Sequence, residues 1–397
     1  MGGAAVLGGC KMGGVADGGR KGGVVTRRFK DMTLPILGFG CMRLPLKGDE
    51  IDMKELERMV ECAFAGGVNY FDTAYMYMGG KSENAIGKVL SNYKRESFYI
   101  ADKNPARMLS SKADVHRIFD EQLKKCGVDY FDFYLVHNIN ESSFENYRKY
   151  DMFNELSKYK KDGRIRNLGF SFHGNTSMLK EVAFEHPWDF CQLQINYLDW
   201  NVMNARPHYE IAVKAKLPVI VMEPIRGGGL CNLSDKTAAL LKNSCPGQTP
   251  ASFALRWVAG RDNVVVALSG MSNLEQMRMN IETFSDYKPI TPGEEKVAAQ
   301  MASMIQSNGE INCTACRYCT EGCPRGVNIP AIFSIYNSYK ASKSPWSLSY
   351  YDSLDDSEKA DKCVSCGICI KHCPQTLNIP ELLKKVDSEI KAVKAKS

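Results

Sequence analysis

The sequence predicts an α/β protein, a (β/α)8 TIM barrel followed by a small, mainly helical module. From Arg27 onward a short apolar strand, a loop and an amphipathic helix alternate eight times over ~270 residues. Past about residue 300 that rhythm stops, and cysteines crowd into two short stretches of matching pattern. The composition, 44% hydrophobic and 24% charged, suits a chain that buries a full core and excludes a disordered or disulfide-stapled one.

Residues 1–25, with repeated Gly pairs and Cys10, match neither a signal nor a transit peptide and are expected to be a flexible tail. Residues 26–300 are assigned to the barrel. Its strands are expected at Leu37–Met42, Tyr70–Thr73, Phe98–Asp102, Phe131–His137, Asn167–Phe172, Phe190–Ile195, Val219–Met222 and Val264–Leu268. Each is short and most are rich in β-branched or aromatic residues, as strands buried on both faces are. Helices are expected at Asp52–Ala65, Ser82–Leu90, Lys112–Lys125, Glu145–Lys160, Met178–Glu185, Tyr209–Lys214, Ala251–Val258 and Leu274–Phe284. Asp52 reads as the first N-cap, with Glu55 at capping-box spacing. Gly38 and Gly40 fall inside the first strand and no G-x-G-x-x-G follows, which argues against a doubly wound dinucleotide fold. Residues 301–397 form the cysteine-rich module, in which Asn-Ile-Pro recurs at Asn328–Pro330 and Asn378–Pro380.

The formal charge of +6 is modest and mixed along the chain, so no nucleic-acid partner is expected. No apolar run reaches the roughly 18–20 residues of a membrane span, so no membrane partner is expected either. Fifteen cysteines, an odd number, several of them isolated, point to a reducing, cytoplasmic location.

The sharpest motif is Cys313-x2-Cys316-x2-Cys319-x3-Cys323-Pro324, repeated as Cys363-x2-Cys366-x2-Cys369-x3-Cys373-Pro374. Three thiolates at this spacing hold three corners of a [4Fe-4S] cubane, and the fourth, before proline, ligates the other cluster. Cys313, Cys316, Cys319 and Cys373 then hold one cluster, and Cys363, Cys366, Cys369 and Cys323 the second. Zinc sites use spaced Cys pairs and have no need of the third thiol. The two-cluster module is ferredoxin-like, and it reads either as an electron relay or as a structural brace.

Barrel chemistry belongs at the C-terminal ends of the strands. Those ends carry Asp72, Lys103, His137, Ser171, Gln192, Glu223 and Ser269, with Tyr77 in the loop after strand 2. An ammonium beside a phenol draws its pKa down from about 10. Tyr77, Lys103, Asp72 and His137 therefore read as a proton donor, the cation that tunes it, the carboxylate that holds the cation, and an orienting imidazole. Arg226 and Gly227, opening the Arg226–Gly229 run, read as a phosphate contact. His173, His186 and His208 lack ligand spacing and are expected in loops or on the surface, His173 with a view of the substrate.

The stretch FDTAYMYMGGKSENAIGKVL, with YIADK, YLVHN, KKDGRIRNLGFSFHG and LSGMSNLEQMRMN, resembles the aldo-keto reductases from Arg27 to about Asp286. With the tail included, the chain resembles the branch fused to a C-terminal 4Fe-4S ferredoxin-like domain. The resemblance implies carbonyl reduction with NADP(H) or NAD(H), Ser171 and Gln192 holding the carboxamide and Ser269, Gly270, Ser272, Gln276 and Asn280 the adenosine end. Two positions depart from that pattern: Phe172 stands where Asn is usual, and Met222 where an aromatic stacks on the ring. They leave room for a flavin. Three functions follow: an iron–sulfur carbonyl reductase using nicotinamide, a reductase fed by the clusters, through a flavin or directly, that acts on an activated substrate such as an enone, and a nucleotide-binding sensor or scaffold. An electron-transfer protein such as ferredoxin is the expected macromolecular partner.

Overall fold

In the computed structural model, described over residues 23–202, 205–342, 348–352 and 354–394, eight parallel strands close into a barrel. The strands are Leu37–Gly40, Tyr70–Asp72, Tyr99–Pro105, Phe131–Ile139, Ile165–Phe172, Phe190–Gln194, Val219–Met222 and Val264–Ser269. All eight lie where the sequence places them. Strands 1 to 8 neighbour one another in chain order, and the last pairs with the first through Ala267↔Leu37 and Leu268↔Gly38. Gly38 is needed there, because a Cβ would sit 2.8 Å from the side chains of both Leu268 and Val266 inside the barrel.

Three expectations are corrected. Gly23–Val25, assigned to the tail, belong to the body: Val24 is buried, its N–H bonds Gly66 O, and Val25 N–H bonds Phe284 O. The rest of the expected tail, with Cys10, lies outside the described residues. An antiparallel hairpin, Thr26–Phe29 with Met32–Pro35, then follows, which the alternation did not announce. Phe29 and Leu34 of that hairpin enter the barrel and meet Phe133 and Phe190, Phe29 lying 5.3 Å from the Phe133 ring. The N-terminal end is thus sealed with aromatic rings, and the polar strand ends gather at the opposite mouth. Finally, the single helix expected at Glu145–Lys160 is two, Phe144–Lys149 and Met152–Lys161. Asp151 takes a left-handed φ of 52° between them, a conformation Asp tolerates, and the break lets Tyr147 and Met152 both bury.

The first barrel helix, Met53–Ala65, is capped by Asp52, whose carboxylate accepts from Lys54 N and Glu55 N. Glu55 does not close a capping box: its carboxylate accepts from Leu274 N, tying the first helix to the last.

In the C-terminal module, helices Ile329–Ser342 and Ile379–Lys394 each start at the Ile of an Asn-Ile-Pro, and the Asn328 and Asn378 carbonyls accept each helix's first hydrogen bond. The two pack through Ile332, Phe333 and Tyr336 against Leu383, Val386 and Ile390. Among the described residues, no helix is long and apolar enough to cross a membrane.

Candidate active site and cysteine module

Strand 2 delivers Asp72, strand 3 Lys103 and strand 4 His137, all buried at the mouth. The Lys103 ammonium is fully enclosed, and its three donors are used: Asp72 Oδ1 at 2.5 Å, Thr73 O at 2.6 Å and Tyr77 Oη at 3.2 Å. Gln192 Nε2 bonds the other Asp72 oxygen at 2.9 Å. Burial raises the Asp72 carboxyl above its usual range, with the Lys103 charge opposing. The four residues singled out from sequence are one constellation, the His137 ring standing edge-on to Tyr77 at 5.9 Å. Burial, with the Lys103 and Arg107 charges, holds His137 far below its usual range, so the imidazole is neutral. Its buried Nδ1 has no hydrogen-bond partner.

The expected downward tuning of Tyr77 is overturned. Burial, reinforced by the Asp72 and Glu223 carboxylates, drives the phenol well above 10, with Arg43 opposing. The Lys103 ammonium, bonded to both Asp72 and Tyr77, does not outweigh these effects, so Tyr77 keeps its proton at neutral pH.

The C-terminal module sits on this mouth. Arg43 Nη2 reaches the Thr314 carbonyl at 2.6 Å and Glu223 Oε1 at 3.3 Å. Gln194 and Gln375 exchange amide hydrogen bonds of 2.9 and 2.7 Å, and Arg107 pairs with Glu321. Tyr318, between Cys316 and Cys319 in the chain, packs on Ala74, Met76 and Tyr77 and stands 6.4 Å from the His137 ring. Sequence reasoning missed Tyr318, Thr314 and Arg43; the one available signal was an aromatic inside the first cysteine motif.

The cysteines of the module lie in two neighbourhoods. Cys319 has Cys316, Cys313 and Cys373 as its charged neighbours. Cys323, Cys363, Cys366 and Cys369 line one small cavity. Burial pushes the Cys313 and Cys316 thiols up to about 11 and about 12. Four thiolates are tolerable in such a place only beside a metal centre that supplies positive charge, so these donor sets fit [4Fe-4S] clusters. All thiols of the described residues are free of disulfides.

Ser269, Gly270, Ser272, Gln276 and Asn280 line a groove of about 470 Å³ beside the mouth, together with Gly227. Asn273 caps the helix there, and Asn280 Nδ2 donates to Ser269 Oγ. This half fits the adenosine end of a dinucleotide. At the nicotinamide half, Gln192 Nε2 is bonded to Asp72 and Ser171 Oγ accepts from Asn138 N, which leaves Gln192 Oε1 as acceptor and the Ser171 hydroxyl as donor toward a carboxamide. Arg43 and Ser272 also wall a second cavity, the one holding Tyr77, so Arg43 stands between the groove and the phenol. Arg226 is corrected as a phosphate contact. Its guanidinium is buried, with Nε 3.0 Å from Asp199 Oδ1. Gly227 lies against the module: a Cβ there would come within 2.2 Å of Thr314 O. His208 is likewise not a surface residue but buried on helix Ala205–Lys214, and His173 shares a cavity with it.

A closed parallel barrel with a lysine–carboxylate–phenol site, covered by paired cysteine motifs, defines a barrel oxidoreductase with an iron–sulfur module. The chain belongs to the aldo/keto reductase family, whose model matches residues 36–291, and residues 312–378 match a 4Fe-4S dicluster domain. A probable aldo-keto reductase of Glycine max is 23% identical over 286 residues, 62% of this chain and 79% of the relative. An aldo-keto reductase of Schizosaccharomyces pombe, named with NADP(+), is 26% identical over 195 residues, 46% of this chain and 55% of that one. The solved holo form of a Bacillus halodurans aldo-keto reductase superposes with a TM-score of 0.60 at 22% identity, covering 70% of this chain and 96% of its own. That structure speaks for the fold alone.

Proposed function

We propose that the chain reduces a carbonyl-bearing small molecule at Tyr77 with electrons that enter through the cysteine module. The observation that carries this is that Tyr77 and Cys316 line one cavity, with Tyr318 packed between barrel and module. Two [4Fe-4S] clusters, held by Cys313, Cys316, Cys319 and Cys373 and by Cys363, Cys366, Cys369 and Cys323, supply one electron each. Two electrons and two protons convert C=O to CH–OH; an enone takes the same number. Tyr77 gives a proton to the carbonyl oxygen, Lys103 offsets the charge left on the phenol, and Asp72 fixes Lys103. Neutral His137 orients the carbonyl as a donor, and solvent supplies the second proton. The reducing cytoplasm is the matching compartment, and a ferredoxin-type protein the matching donor.

A second reading is supported by the groove at Ser269–Asn280 and the NADP(+) relative: NADP(H) or NAD(H) binds there and serves as reductant. Anaerobic protein is expected to contain about eight iron and eight sulfide per chain. Dithionite-reduced protein mixed with an aromatic aldehyde is expected to lose its reduced-cluster spectrum as alcohol forms. NADPH-driven turnover at an undiminished rate in cluster-free, folded protein overturns the first reading in favour of the second. Tightly bound flavin in the same sample would replace both as the immediate reductant.

A further inference from the structure

The cavity that Tyr77 shares with Cys316 measures about 710 Å³, the size that encloses a small organic molecule. Its wall is apolar and pliable, made by Met42, Met76 and Met78 with Leu44, Leu46 and Ile51. Thioether side chains adapt to flat or irregular apolar bodies. Tyr318 closes the inner end against Tyr77.

Charge at the rim is uneven once its pairs are counted. Lys81 is engaged by Glu50 at 2.8 Å, Arg43 by Glu223, and Glu321 by Arg107. Arg317 also lines the cavity, is exposed, and has no carboxylate partner among the described residues. Asp49, in the turn of a second short hairpin, Leu46–Lys47 with Glu50–Ile51, also lines the cavity and makes no ion pair with it among the described residues. Arg317 is held at φ 67° between Cys316 and Tyr318, so its place is fixed by the cysteine loop and not by a salt bridge. A guanidinium is the side chain best matched to a planar carboxylate.

We propose that this cavity takes an apolar carbonyl compound that also carries a carboxylate, the apolar body lying on the methionine wall and the carboxylate on Arg317. The proposal rests on the reading that Tyr77 reduces a carbonyl, and names the substrate class for that site. The carboxylate takes no part in the redox step; it fixes which end of the molecule faces Tyr77.

Calorimetry on anaerobic, cluster-loaded protein tests it with 2-naphthoate and 2-naphthamide, flat probes that differ in charge. The acid is expected to bind about tenfold tighter at low salt, an advantage that added salt erodes. Arg317→Gln is expected to abolish that advantage, and Arg317→Lys to keep part of it, with iron content and cluster spectra unchanged in both. Equal affinity for the two probes, binding of neither, or an advantage that survives Arg317→Gln overturns the proposal. Turnover separates it from the reading beneath. If 6-formyl-2-naphthoate binds through Arg317 but is not reduced, the reductase reading fails and the anion site stands. If 2-naphthaldehyde is reduced with the same kcat/KM as 6-formyl-2-naphthoate, the substrate class fails and the reductase reading stands.

Discussion

Gly227→Ala pushes the module off the mouth without touching a cysteine or any of the four residues of the Tyr77 constellation. The new Cβ would lie 2.2 Å from Thr314 O, 2.9 Å from Thr314 C and 3.0 Å from Arg43 Nη2. An ordinary contact of this kind needs about 3.4 Å, so the loop bearing Cys313 and Cys316 must retreat by roughly 1 Å. Residue 227 has φ 63°, and a side chain in that left-handed region adds roughly 1–2 kcal/mol of strain. The Arg43–Thr314 hydrogen bond of 2.6 Å is lost or lengthened, a loss of about 1.5–3 kcal/mol for a charged donor. These losses fall on docking, because the module keeps its own core around Phe333 and Val386. The expected outcome is full iron content, NADPH affinity close to that of the parent, and slowed re-oxidation of dithionite-reduced clusters by substrate, read by stopped flow. Parental re-oxidation rates would refute the argument that docking couples the clusters to Tyr77. Loss of NADPH affinity with unchanged re-oxidation would instead return Gly227 to the phosphate role first read from its sequence.

Tyr77→Phe is expected to lower carbonyl reduction roughly 10²–10⁴-fold while leaving cluster reduction by dithionite intact; near-parental turnover removes Tyr77 as proton donor. Lys103→Met strands a buried carboxylate, and denaturant titration should show a loss of about 3–5 kcal/mol, partly recovered by adding Asp72→Asn. Burial lowers His173 and His208 to about 4 in the folded chain, so protonation favours the unfolded state. Their contribution to stability is fully present above pH ~6.5 and is lost as pH falls through 4. His208→Gln should therefore flatten the Tm–pH profile between those limits relative to the parent, and an identical slope would show that His208 does not titrate on unfolding.

All eight barrel strands were legible because each is a local run whose burial on both faces leaves its own hydrophobic signature. Asp72, Lys103 and His137 were legible because the fold brings strand ends together, so position in the run predicted position in space. The hairpin at Thr26–Pro35 was not, since its apolar contacts with the barrel floor are few, buried Phe29 and Leu34 with half-buried Met32. The break at Asp151 was hidden because the apolar period continues across it. Docking was hidden more deeply. It depends on pairs such as Gln194 with Gln375, 181 residues apart, and on a glycine facing a carbonyl, neither of which leaves a local pattern. The proton affinity of Tyr77 failed for a related reason. A neighbouring lysine can be counted from sequence, but the burial and the Glu223 carboxylate that outweigh it cannot.

Arg43 joins these threads. It sits where the adenosine groove meets the Tyr77 cavity, and it holds Glu223 and Thr314 together. On the proposed reading, a nicotinamide ring advancing from the groove toward Tyr77 must displace Arg43 from both partners. Displacement removes the hydrogen bond that fastens the first cysteine loop to the barrel. The same arginine therefore sets cluster-fed reduction and dinucleotide-fed reduction against each other at one mouth. NADPH bound by its adenosine end would then slow cluster re-oxidation in proportion to how far its ring displaces Arg43.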